Sequence, residues 1–218
     1  MFVGHYAPVF AIAAVRRDPG LATGFVAVQL VDLGFMSLSY VGIEKWRANP
    51  ALEGFNPIDL FYMPYTHSLA GATIWAVAFA LVVAALTPPG RQALSALIAC
   101  TLVLSHWLLD LIVHRQDLPL VHDTDRKFGY ALWDHPLLEA PLELGLLLAG
   151  FALFMAATKP RGTMGKAVPW IVLAVLLAFQ AFNWFGPPPA DAKTFSIMGL
   201  AAYLTLVPFA WWLDRVRA

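Results

Sequence analysis

Six apolar stretches of roughly 19–25 residues, at 21–43, 66–86, 91–114, 133–157, 167–185 and 195–213, dominate this chain. Each is long enough, or nearly so, to cross ~30 Å of hydrocarbon as a helix. Inside a bilayer the backbone must satisfy its own hydrogen bonds, so such stretches can only be helices packed into a bundle. A seventh apolar segment, 3–15, is too short to span easily and ends at the turn Arg16-Arg17-Asp18-Pro19-Gly20. The other breaks are Thr87-Pro88-Pro89-Gly90, Lys159-Pro160-Arg161-Gly162 and Gly186-Pro187-Pro188-Pro189. The expected fold is therefore all-α: one integral-membrane domain over residues 1–218, with about six transmembrane helices and a short N-terminal membrane-embedded helix.

Composition agrees, since 60% of the 218 residues are hydrophobic and 13% charged, against about 25% charged in soluble domains. A net charge of zero argues against nucleic acid as a partner. The single cysteine, Cys100, lies in an apolar stretch, so no internal disulfide can form and it reads as a small buried hydrophobe. The start, Met-Phe-Val-Gly-His, has neither a basic region nor a small-residue cleavage site, so no removable signal peptide is expected. Alternating the segments across the bilayer puts eight Lys and Arg residues on one side, with Asp18 and Asp214. It puts six on the other, with seven acidic residues. The positive-inside rule then assigns the first side, with the N-terminal turn and the C-terminus, to the cytoplasm.

Ionisable residues inside these segments are the second constraint, because each costs a few kcal/mol there and by default suggests a function. In Ser105-His-Trp-Leu-Leu-Asp-Leu-Ile-Val-His114, residues His106, Asp110 and His114 stand at i, i+4 and i+8, on one helical face. Asp32 lies about 17 Å along its helix from Leu21, in the outer half. His67 opens the next helix from the outer side, and His135 and Glu139 open the fourth, with Glu143 one turn deeper. His5 starts the short segment at the same level. Five segments thus deliver imidazoles and carboxylates to one layer. His-x3-Asp at 106/110 and His-x3-Glu at 135/139 would each place a nitrogen and an oxygen ligand on one turn, as in carboxylate-bridged bundle sites.

Each of these residues alone could equally be a structural hydrogen-bonding group between helices. His114, His122 and Asp134 fit wetted interfacial positions, while Glu44, Asp117, Asp123 and Asp125 fit a solvated acidic face. Tyr40, Trp46, Tyr62, Tyr65, Trp107, Tyr130 and Trp133 read first as an aromatic belt at the membrane boundary.

The order Gly4-His5, Asp32, Thr66-His67-Ser68, then Ser105-His106 with Asp110 resembles the membrane-bound metal-dependent hydrolases of bacterial inner membranes. It is also similar to the ligand order of the all-helical zinc-dependent phospholipase C family. The resemblance implies a bacterial inner-membrane hydrolase with two or three zinc ions. It places one on Asp32, His67, His106 and Asp110, a second on His5 with bridging Asp110, and a third on His114, His135 and Glu139. It covers residues from Gly4 to Glu139, and the last two helices match nothing in it. Met63-Pro64-Tyr65 stands where the membrane family often has His-Arg, and the gap between Asp110 and His114 is shorter than the phospholipase pattern. The phospholipase also uses its terminal amine as a ligand, where this chain has Met1 four residues before His5.

The expected activity is hydrolysis of a phosphoester in a membrane lipid or lipid-linked substrate by metal-activated water. Asp110 is expected to serve as catalytic as well as bridging residue. Glu143 or Asp117 would be the general base, and Arg115 and Lys45 could meet phosphate oxygens or simply snorkel. Ser68 reads as a helix cap rather than a nucleophile. The alternatives are an ion or proton transporter built on the same His/Asp/Glu layer, and a metal-stabilised scaffold. A transporter should carry polar groups on both sides of its midplane, whereas here they gather on one.

Overall fold

The computed structural model describes residues 1–187, 189 and 191–218, so Pro188 of the 186–189 break lies outside the described residues. A 3-10 turn, Val3–Tyr6, runs into α1 (Ala7–Val15), followed by α2 (Leu21–Val28) and α3 (Leu30–Tyr40). A hairpin of β1 (Lys45–Ala48) and β2 (Ile58–Tyr62) leads to α4 (Leu69–Leu86) and α5 (Gln92–Val113). A second, two-residue hairpin of β3 (Leu118–Pro119) and β4 (Lys127–Phe128) precedes the 3-10 turn Leu132–Asp134. The chain closes with α6 (Pro136–Ala157), α7 (Met164–Phe185) and α8 (Ala192–Val216). Helices α4 to α8 are each long and apolar enough to cross a membrane, and α2 with α3 makes a sixth span if counted together. The protein is a multi-pass membrane bundle, as its apolar stretches require.

The expected continuous helix over 21–43 is corrected to two helices that meet at Gln29 with a 53° bend. No proline causes it. The groups at the joint have other partners: the Val28 carbonyl accepts from His106 Nδ1 at 2.6 Å, and Gln29 Nε2 donates to the Phe2 carbonyl at 3.2 Å. Side chains engaging the backbone ladder are a recognised cause of sharp kinks.

The short segment 3–15 is apolar all round, which marks a helix enclosed by others. Phe10 of α1 sits at its centre, edge-on to Phe25 and Phe151 with ring centroids 5.6 Å apart in each pair. Without a hydrophobic drive between helices in lipid, close packing carries the association, and small residues permit it. Gly150 of α6 is one of these. A Cβ there would stand 2.7 Å from the Ala7 carbonyl oxygen, so the α6 and α1 backbones are in direct contact two residues from His5.

Ser68 Oγ accepts from Gly71 N and donates to the Pro64 carbonyl, so Ser68 caps α4 as its position suggested. Asp191 caps α8 by accepting from Thr194 N at 2.8 Å. At the opposite end of the bundle, buried Arg217 donates to Thr158 Oγ1 and to the carbonyls of Met155, Thr158 and Gly165, tying α6, α7 and α8 together. The bulk of the buried ionisable side chains lies at the other end, beside the two hairpins.

Candidate metal centre

Asp110, on the last turn of α5, is the centre of that group and is 1% exposed. Its Oδ1 accepts from the Met1 amine at 2.9 Å and lies 3.1 Å from His5 Nε2. Its Oδ2 lies 2.9 Å from His106 Nε2, 3.6 Å from His114 Nε2 and 3.7 Å from His67 Nε2. Asp32, from α3, brings Oδ1 to 3.4 Å from His67 Nε2 and 3.7 Å from His106 Nε2, while Tyr203 of α8 donates to its Oδ2 at 2.8 Å. The structure thus joins His5, Asp32, His67, His106, Asp110 and His114 in one cluster, and these groups could hold a metal ion.

The tautomers of three of the imidazoles follow from their partners. Nδ1 of His106 faces a backbone carbonyl that can only accept, and Nδ1 of His114 faces the Asp117 carboxylate at 2.9 Å. Nδ1 of His67 lies 2.9 Å from Thr66 Oγ1, whose own hydrogen goes to Glu44. All three rings therefore carry hydrogen on Nδ1 and point Nε2 toward Asp32 and Asp110, where the neutral imidazole presents a lone pair and the imidazolium an N–H. His106 Nε2 is buried with no hydrogen-bond partner among the described residues. Lone pairs facing carboxylates at 2.9–3.7 Å repel unless positive charge lies between them. The separations also suit an ion: Asp32 Oδ1 lies 3.4 Å from His67 Nε2 and 3.7 Å from His106 Nε2, and these three residues form one group that could hold a metal, with His67, Asp110 and His114 forming another. A tetrahedron with metal–ligand distances of 2.0–2.1 Å has edges of about 3.3 Å.

Two expected ligands stay outside this cluster. His135 is exposed, because α6 starts at Pro136 and His135 has the non-helical φ of −127° and ψ of 72°. The His-x3-Glu spacing at 135/139 therefore does not place both residues on one helical face. Glu139 is 1% exposed, but it lies beside Glu143 and Trp184 and belongs to none of the groups able to hold a metal among the described residues. Among the described residues neither Glu139 oxygen has a hydrogen-bond partner. A buried carboxylate with neither cation nor donor costs stability. Glu139→Gln should leave metal content unchanged and be at least as stable as wild type, unfolding at the same or a higher temperature. Loss of metal from that variant would restore Glu139 as a ligand.

Other roles also shift. Glu143 accepts through Oε1 from the backbone N–H of Phe2 and of Gly4, Gln180 Oε1 accepts from Val3 N, and Gln29 holds the Phe2 carbonyl. These three buried side chains clamp the turn that carries His5, so Glu143 positions a ligand whatever else it does. Arg115 is committed to Asp134 and to the carbonyls of Glu53, Asn56 and Ile58, and is not available to a substrate phosphate. Of the residues read as a solvated acidic face, Glu44 is buried beneath Thr66 and Asp117 orients His114. Asp125 keeps that reading: the His122 and Val121 amides donate to it and hold its carboxyl below the usual range. Of the aromatic belt, Tyr40, Tyr65 and Tyr130 are exposed. Trp46, Trp107 and Trp133 are buried, with the Trp133 ring tilted at 38° to the His114 ring and centroids 4.1 Å apart.

A cavity of about 850 Å³ opens beside the cluster. Its polar end is made by Asp32, His67, Asp110, His114 and Glu143. Its other walls are largely apolar, interrupted by Asn56 and Asn183, and run from the β1–β2 loop down α8 past Met198 and Ala202 to Thr205. Thr205 lies about 20 Å along α8 from Ala192 at helical rise. No Lys or Arg lines it among the described residues.

Sequence reasoning passed over Gln29 and Tyr203, and took Glu44 for a solvated residue. Gln29 and Tyr203 stand within apolar stretches, where a polar group signals a partner. No local signal marks Glu44. Comparison with protein-family models, with curated proteins and with solved structures found no match.

Proposed function

We propose that this protein is a membrane-embedded metal-dependent hydrolase acting on a phosphoester of a membrane lipid or lipid-linked substrate. The observation that carries the reading is the convergence of three Nε2 atoms on Asp32 and Asp110 beside a cavity with one polar end and largely apolar walls. Asp32, His67, His106 and Asp110 would hold one divalent ion, with zinc suited to the mixed nitrogen and oxygen donors. His5 lies on the Oδ1 side of Asp110, where that carboxylate could bridge to a second. Zinc bound there supplies Lewis acidity and brings the pKa of water toward ~7. A third ion on His114, His135 and Glu139 is not part of this proposal, because those three residues do not converge.

The cavity would take an amphiphile with its polar head against the cluster and its tail along α8. With no Lys or Arg in its walls, and the Met1 amine already paired with Asp110, an anionic phosphoester would draw its positive charge chiefly from bound metal. The collection of ionisable groups at one end favours a one-sided reaction site over a path through the bilayer. The modest excess of Lys and Arg at the opposite end would put that end in the cytoplasm and the site near the outer face of a bacterial inner membrane.

The test is phospholipid hydrolysis by purified protein in mixed micelles, before and after removal of metal with a chelator. Turnover should fall at least about 100-fold without metal, the scale of losing electrostatic stabilisation of the reacting group, and return on adding zinc. A fully metal-loaded protein that turns over no phosphoester would leave a metal-stabilised scaffold as the better reading.

A further inference from the structure

Glu44 lies outside every sequence pattern that singled out the cluster, yet it is 1% exposed and touches the residue preceding a ligand. Its Oε1 accepts from the backbone N–H of Tyr65 at 2.8 Å and of Thr66 at 2.9 Å. Its Oε2 accepts from the Thr66 hydroxyl at 2.6 Å, and that hydroxyl oxygen lies 2.9 Å from His67 Nδ1. A hydroxyl has one hydrogen to give. An ionised carboxylate can only accept, so the Thr66 hydrogen points to Glu44 and its oxygen is left to accept from His67. The far end of the same ring then presents a lone pair to Asp32 and Asp110. The His67 carbonyl is held separately by Trp107 Nε1 at 3.0 Å, so the backbone of this residue is fixed independently of the ring.

From this chain of contacts we infer that Glu44, acting through the Thr66 hydroxyl, is the positioning residue that fixes the tautomer of His67 and so makes its Nε2 available to a metal. The inference builds on the metal reading of the cluster, but the tautomer is a property of the chain itself. Partners of this kind behind a ligating histidine set both ring orientation and ligand basicity. The hairpin of β1 and β2 brings the two ends together: it begins one residue after Glu44 and ends four residues before Thr66.

Glu44→Gln separates this role from simple packing. Two backbone amides keep the Gln carbonyl oxygen where Oε1 stood, so its NH₂ takes the place of Oε2 and donates to Thr66. The Thr66 hydrogen loses its acceptor at residue 44, and the remaining partner of that hydroxyl is His67 Nδ1; donating to it moves the ring hydrogen to Nε2 and blocks the ligand atom. Ring-¹⁵N NMR of the metal-free protein reads the tautomer directly, and zinc titration reads the consequence. Wild type and Thr66→Ser should show His67 with hydrogen on Nδ1. Glu44→Gln should show it on Nε2, and Glu44→Gln and Thr66→Val should bind zinc about 10–100-fold more weakly. If Glu44→Gln disturbs folding, the Thr66→Val and Thr66→Ser pair makes the same comparison, since only serine restores the hydroxyl. Hydrogen on Nε2 in wild type, or unchanged zinc affinity in both Glu44→Gln and Thr66→Val, would overturn the inference. The expected tautomers in a protein that binds no zinc would overturn the metal reading and leave the relay standing.

Discussion

Asp110→Ala should strip the protein of its metal. Both oxygens of Asp110 are engaged, Oδ1 by the Met1 amine and His5 and Oδ2 by His106, with His67 and His114 just beyond. Removing it takes away the carboxylate common to both proposed ions. It also leaves a buried amine with no anion, and breaking a buried charge pair from one side costs roughly 3–5 kcal/mol. Elemental mass spectrometry of detergent-purified wild type should find about two zinc ions per chain, the number a bridging carboxylate serves. The variant should retain less than about one. Asp110→Asn, which keeps the shape and one acceptor oxygen, separates metal loss from misfolding. A variant that folds yet keeps its full metal complement would show that Asp110 is not the shared ligand.

Replacing Glu143 should have the second largest effect, and its two variants divide the roles that can be assigned to it. Glu143→Ala leaves the N–H groups of Phe2 and Gly4 buried without an acceptor. At roughly 1–3 kcal/mol for each such group, the loss should be about 2–6 kcal/mol, and the turn carrying His5 should drift from Asp110. Glu143→Gln keeps a carbonyl oxygen for the same two donors. If Glu143 only positions the turn, the glutamine variant will match wild type in unfolding temperature, metal content and turnover. If it is also the general base, the same variant will keep its fold and metal while turnover falls about 100-fold or more.

The difference between what was legible and what was not follows a physical line. Membrane spans can be read because hydropathy is a sum over neighbours in the chain, and their ends because proline and glycine act on their own backbone. The stripe at His106, Asp110 and His114 could be read because all three lie within or at the end of one unbroken helix, where the 3.6-residue period holds. The same period applied to His135 and Glu139 misleads, since the helix starts one residue too late to include His135. Depth along each span correctly brought His5, Asp32 and His67 to the same level, because rise per residue is a local constant of the helix.

Which groups at that level touch is a matter of helix rotation, bends and loop register, and none of these is local. The bend at Gln29 releases the Val28 carbonyl toward His106, the hairpin carries Glu44 under Thr66, and Gly150 lets α1 close on α6 beside His5. The sequence by itself determined a helical membrane bundle with its ionisable residues gathered at one end. Only the tertiary structure decided that five of those residues gather with Asp110 and that the imidazoles of His67, His106 and His114 turn Nε2 inward. Hydrogen-bond partners set those orientations, and here they come from residues far apart in the chain.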